Sequence, residues 1–375
     1  MSLFDYAVRL HREDPDSPLF RDGEPYPDDG QHRGRKSRPR GPEDPRRRGV
    51  DVAAVLDAHF ADPSTAPVDL AGAFHDLDVP IHPNEHIAAA GCRVDADRVR
   101  ETGRWLVRYA TDRCAATVGL ALLGTVWDDD DIALIKTIGL LSNRFGPLAA
   151  HALERRRGGS DALLWLAERV TGWGRVYVVE SLCKVGNTGA RPWMLRRACD
   201  GDYLNRYFAG NVATAAHLHE AITGPNPDRE LIDHTGLLLT IMADSGGMGI
   251  TLDHYPPAPA VLQAYCEHAG RLEPSASRFV IAAQLAEYLH RAAAERMAWS
   301  EGGRERVLDG YLALLDREDW CAVARAGLAA GDDHVTWLAG ALAPRLGLRA
   351  FSDALADDQH PEGRRETRSS ARRAG

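Results

Sequence analysis

The chain has 375 residues, 44% of them hydrophobic, which is enough apolar material for one large core or two ordinary ones. Its formal net charge is −9, and an acidic body is poorly suited to gripping a phosphate backbone, which needs a basic stripe. The longest apolar stretch, Ala115 to Trp127, falls short of the roughly 20 residues that a membrane-crossing helix needs.

These numbers set the first expectations: no membrane partner, nucleic acid disfavoured, and, with no secretory pattern in the opening residues, a cytoplasmic location. Six cysteines (Cys92, Cys114, Cys183, Cys199, Cys266 and Cys321) stand singly with no Cys-x-x-Cys, so they read as reduced, packed side chains and not as disulfides or a metal site.

Residues 1–50 carry 11 basic and 10 acidic residues and are broken by Pro15, Pro18, Pro25, Pro27, Pro39, Pro42 and Pro45. That composition predicts a flexible, mostly disordered arm, apart from a short apolar face (Leu3, Tyr6, Ala7, Leu10) that suits a helix over 2–11. Helices are expected at Val52–Phe60, Val68–Leu77 and Pro83–Arg93, forming a cap over residues 51–101.

From Thr102 to Leu346 the pattern changes to short apolar-striped helices separated by tight breaks. Asp128 to Asp131 precede the stripe Ile132, Ile135, Ile138, Leu141, where carboxylates complement a helix N-terminus. The next helix opens at Phe145-Gly146-Pro147, with proline in its first turn, and ends at Arg155-Arg156-Arg157 and Gly158-Gly159, basic residues and then glycine as a stop signal. The pair Asp161–Val170 and Gly174–Val185 repeats the layout, with Gly174 in the place of Gly146. Further helices are expected from Arg191, over Asp202–Ile222, Asp228–Ser245, Pro259–Gly270, Ala276–Met297, Glu305–Asp316 and Cys321–Leu346. Residues 347–375 read as a C-terminal tail, disordered after about 360.

The Asp161 helix and the Gly174-x-Val176-x-x-Val179-x-x-Leu182 helix resemble HEAT-type repeats, most closely over 102–250, and the chain is similar to actinobacterial proteins of HEAT-repeat type. The resemblance implies an all-α fold, an α-α superhelix of the HEAT/armadillo-like solenoid kind. It also implies a non-enzymatic binding or scaffold function, with a protein or peptide held on the concave face. The alternatives are an enzyme with its site in the groove, glycosylase-like or another hydrolase, and an acidic toxin-neutralising or nucleic-acid-associated protein.

No catalytic set, cofactor or metal centre is expected. His82-Pro-Asn-Glu-His86 fits the letters of an inverted zincin motif but reads better as a capped helix start. His217 and His219 point some 200° apart on a helix, so the loose group His217, His219, Glu220, His234, Asp253 and His254 does not make one site. Ser245-Gly-Gly-Met-Gly249 lacks the Lys-Ser/Thr ending of a phosphate loop. The candidate binding residues are Trp173, Arg175, Tyr177, Glu180, Asp202, Tyr203, Arg206 and Tyr207, because tryptophan, tyrosine and arginine dominate binding energy on such surfaces.

Overall fold

Side-chain caps set where the helices begin. Asn84, Asp95, Asp112 and Asp228 each turn a side-chain oxygen onto the first free amides of the helix that follows. The computed structural model describes residues 1–33, 44–291 and 297–352; among these there are twenty α-helices and no strand, so the protein is all-α.

Two units pack separately. The first comprises Met1–Met194 with Asp202–Leu204, and the second comprises Leu195–Gly201 with the chain from Asn205 onward. In the first unit lie α1 (Leu3–Glu13), α2 (Asp29–Arg33), α3 (Val50–Ala61), α4 (Glu85–Cys92), α5 (Ala96–Tyr109), α6 (Arg113–Leu123), α7 (Ile132–Gly139), α8 (Ser142–Glu154), α9 (Gly159–Ala167) and α10 (Gly172–Val185). Neighbours in sequence pair as hairpins, α5 with α6, α7 with α8 and α9 with α10. The hairpins stack so that α5, α7 and α9 share one layer while α4, α6, α8 and α10 share the other. Leu106, Leu120, Phe145, Leu163 and Leu182 are fully buried between the layers.

α11 (Arg191–Arg197) lies across the division. The second unit continues with α12 (Ala209–Ala215), α13 (Leu218–Ile222), α14 (Arg229–Ala243), α15 (Ala258–Ala269), α16 (Ala276–Arg291), α17 (Gly303–Leu315), α18 (Glu318–Ala330), α19 (Asp333–Ala341) and α20 (Ala343–Leu346). Here α13, α15 and α17 form one layer against α12, α14 and α16. Tyr265, Phe279, Tyr311, Trp320 and Phe351 fill its core, and the Tyr311 hydroxyl donates to the Leu262 carbonyl at 2.9 Å.

The expectation of a disordered arm is overturned over residues 1–33. α1 lies on α5 and α7, burying Leu3, Tyr6 and Ala7, and the His11 ring meets the Trp165 ring edge-on at 5.2 Å. The chain continues past Arg169, whose Nε donates to the Pro15 carbonyl, and buries Leu19 and Tyr26. Composition misled because the arm needs no core of its own: its sparse apolar residues borrow the surface of finished hairpins. Residues 34–43 of the expected arm, and the tail from 353 onward, lie outside the described residues.

Three helix expectations also change: Cys321–Leu346 is not one helix but α18, α19 and α20, with left-handed Gly331 (φ 74°) ending α18. Over 68–77 only Pro67–Leu70 is helical, in a single 3-10 turn, and Gly72 and Asp76 follow in turns, consistent with their weak helix preference. Asp202–Ile222 is not one helix, because His217 takes a left-handed conformation (φ 56°) that separates α12 from α13.

Candidate functional site

α10 starts where Gly172 turns with φ 56° after Thr171, and the helix then presents two faces. Val176, Val179 and Leu182 pack inward, while Trp173, Tyr177, Glu180 and Lys184 follow one another along the opposite side. The Trp173 ring, 40% exposed, stacks on Tyr177 at 5.9 Å and 24°. Tyr177 in turn meets the His82 ring edge-on at 5.4 Å. Burial pushes the Glu180 carboxyl up, against the pull of Lys184, and pushes the neighbouring Cys183 thiol up to about 12. Lys184 reaches Glu154 on α8 at 3.2 Å, and the same carboxylate accepts from the Ser181 hydroxyl at 2.7 Å.

The other sequence-predicted residues do not join this stripe. Arg175 is turned inward: it is 8% exposed, donates Nη1–H to the Ala167 carbonyl at 2.8 Å, and lies over the Trp193 ring. Asp202 accepts from the Leu204 amide at 2.7 Å, and Tyr203 beside it is 61% exposed; both belong to the first unit. Arg206 and Tyr207 belong to the second unit, where the Arg206 guanidinium is bound to the carboxylate and carbonyl of Asp244.

The other histidine motifs resolve into structural roles. His234 is buried, donating Nδ1–H to the Leu195 carbonyl and accepting the Cys199 amide at Nε2, which fixes it as one neutral tautomer. His217 pairs with Glu220, His254 with Thr251 and Asp253 with Tyr288, so these side chains do not share a centre. In the His82–His86 motif Asn84 is the cap and His86 Nε2 bonds the Arg46 carbonyl.

A second group, which sequence spacing did not reveal, sits where the N-terminal segment meets the start of α6. Asp112 caps α6 with Oδ1, accepting the amides of Cys114 at 2.7 Å and Ala115 at 3.3 Å. Its Oδ2 lies 2.5 Å from His75 Nδ1 and 3.4 Å from His32 Nε2. Asp28 Oδ2 is 3.2 Å from the same His32 nitrogen, and the two imidazole rings stand 4.7 Å apart. One ligand atom each from His32, Asp112 and Cys114 lie within 4.8 Å of one another, and no other described group brings three potential metal ligands together in this way.

The electrostatics follow from burial and capping. Burial works against the Asp112 carboxylate, but the bonds from His75 and two helix amides hold its pKa below the usual carboxylate range. Burial pushes the Cys114 thiol up to about 11, against the Arg144 guanidinium 3.8 Å away. Burial also lowers His32, against the charge of Asp28. In the sequence only Asp112-x-Cys114 is a local signal; His32 and His75 come from segments read as an arm and a helix.

No protein-family model, no curated protein and no solved structure matches this chain.

Proposed function

We propose that this is a non-enzymatic binding protein whose stacked hairpins follow a HEAT-like superhelix and hold a protein or peptide partner along the layer containing α10. The observation that carries the reading is the Trp173–Tyr177 stack, 40% exposed at its outer ring and continued along one helix face by Glu180 and Lys184. Aromatic rings of this kind supply contact area at low entropic cost, and an adjacent half-buried carboxylate favours a partner that presents a cationic side chain beside an apolar one. The acidic balance of the chain supports the same preference. A reducing cytoplasm suits six cysteines that form no disulfide, and no helix among the described residues is long and apolar enough to cross a membrane.

The test is partner capture from native extract by the full chain, compared with Trp173→Ala and Tyr177→Ala, with each variant's fold checked by circular dichroism. The expected result is loss of a stoichiometric partner from folded variants. Undiminished capture by both variants would overturn the assignment of the α10 face.

A further inference from the structure

We propose that His32, Asp112 and Cys114 bind a divalent transition-metal ion, zinc by its chemistry, which staples the N-terminal segment to α6. The three donors come from two stretches far apart in the chain, and His75 joins from a third. An imidazole, a carboxylate and a thiolate together form the mixed nitrogen, oxygen and sulfur set that suits Zn²⁺ and does not suit Mg²⁺ or Ca²⁺. Donor separations around tetrahedral zinc are roughly 3.3–3.8 Å. The His32 to Asp112 distance of 3.4 Å already meets that, and the full set, within 4.8 Å, closes around an ion with shifts of about 1 Å.

Two further observations point to a ligand. His32 Nε2 is buried and makes no hydrogen bond, although it lies between two carboxylates. A cation seated there would satisfy the nitrogen and the two carboxylates together. Next, His75 donates to Asp112 Oδ2, and the Cys114 and Ala115 amides hold Oδ1, the outer bonding that orients a ligating carboxylate.

On binding, the Cys114 thiol gives its proton to solvent, and His32 coordinates through Nε2 with its proton on Nδ1. Arg144, 3.8 Å from the sulfur, then donates to the thiolate. His32, Asp112 and Cys114 leave one position of a tetrahedral ion for solvent. The ion ties α2 to the α6 N-terminus and makes the order of residues 26–33 depend on metal.

The experiment uses the full chain without an affinity tag, reconstituted with Zn²⁺ or Co²⁺ and dialysed. One equivalent of zinc is expected by mass spectrometry of the metal, and cobalt should give tetrahedral visible bands with a thiolate charge-transfer band in the near ultraviolet. Cys114→Ser should abolish the charge-transfer band and His32→Ala should weaken binding at least tenfold, while Cys92→Ser, which removes an exposed thiol, changes neither. His32 lies on a short helix at the edge of the fold, so its variant tests the site even if Cys114→Ser folds poorly. Zinc should also slow hydrogen exchange over residues 26–33 in the parent and not in His32→Ala. Equal metal binding by the parent and His32→Ala, or a charge-transfer band that persists in Cys114→Ser, overturns the proposal.

Discussion

Asp28 and Arg113, 85 positions apart in the chain, form a forked ion pair in which the carboxylate accepts Nε–H at 2.9 Å and Nη2–H at 2.6 Å. The same carboxylate also takes the Arg113 backbone amide at 2.7 Å, so a single residue of the N-terminal segment helps to cap α6. The Asp28 side chain is fully buried and that of Arg113 is 16% exposed. Removing one partner of such a pair leaves a buried charge without compensation. Asp28→Ala is therefore expected to destabilise the protein by about 3 kcal/mol in urea unfolding and to release residues 1–33 to rapid hydrogen exchange. Asp29→Ala, which removes the outer and more exposed partner, should cost under about 1 kcal/mol. Equal costs for the two variants would show that Asp28 does not hold the segment.

The helices of the repeat body could be read from the sequence because their signals are local: an Asp or Asn cap, a stripe at helical spacing, a basic last turn. The all-α class followed from those signals alone. The placement of the N-terminal segment could not be read in the same way, since Leu3, Tyr6 and Ala7 of α1 are buried where that helix packs on α5 and α7, far along the chain. The same limit hid the group of His32, His75, Asp112 and Cys114, whose members meet only after the segment has docked. On α10 the aromatic stripe was legible for Trp173, Tyr177 and Glu180. Arg175 was not, because its position in the first turn of α10 leads its long side chain back to the end of α9.

The glycines that mark the repeat, Gly146 and Gly174, face each other where α8 crosses α10. A Cβ built on Gly146 would sit 3.5 Å from the Gly174 Cα, an ordinary contact, whereas one built on Gly174 would overlap Ser142. Gly146→Ala is expected to be neutral or stabilising by up to about 1 kcal/mol through helix propensity. Gly174→Ala should force the helices apart at a cost of about 1–3 kcal/mol. Chemical denaturation of the two variants decides it, and a neutral Gly174→Ala would refute the close crossing.

Acid sensitivity should set in before the carboxylates titrate. Burial lowers the pKa of His59 and of His151 below the ordinary 6.5, with Arg98 adding to the effect at His59. Above 6.5 both rings are neutral in the folded and unfolded states, and stability is at its full value. As pH falls through 6.5 the unfolded chain takes up protons that the folded chain refuses, so stability drops until the lowered folded pKa values are reached. Urea midpoints measured from pH 7.5 to 5 should fall, and less steeply in the double variant His59→Leu/His151→Leu. Burial lowers His11 and His82 in the same direction, so part of the slope remains. An unchanged slope in the double variant would assign the sensitivity to other groups.

Arg156 carries the last expectation. The arginine run at 155–157 has the composition of a helix stop, yet only Arg156 turns inside, with a side chain wholly removed from solvent. It donates to the carbonyls of Leu123 at 2.8 Å, Val126 at 3.1 Å, Asp128 at 2.9 Å and Ala152, and it faces the buried Asp131 carboxylate at 3.6 Å. Burial pulls the guanidinium pKa down, and Asp131 opposes that pull, so the group stays charged where it neutralises the inner end of the Asp128–Asp131 run. The carbonyls it serves are spread around the exit of α6 and the end of α8, which a planar fork can reach and a single ammonium cannot. Arg156→Lys is therefore expected to cost about 3 kcal/mol despite keeping the charge, since buried acceptors lose their donors. Arg157→Lys, at a side chain 95% exposed, should be silent. If urea unfolding found Arg156→Lys as stable as the parent, the carbonyl cluster would have to be satisfied by other groups, and Arg156 would be no more than a counter-charge to Asp131.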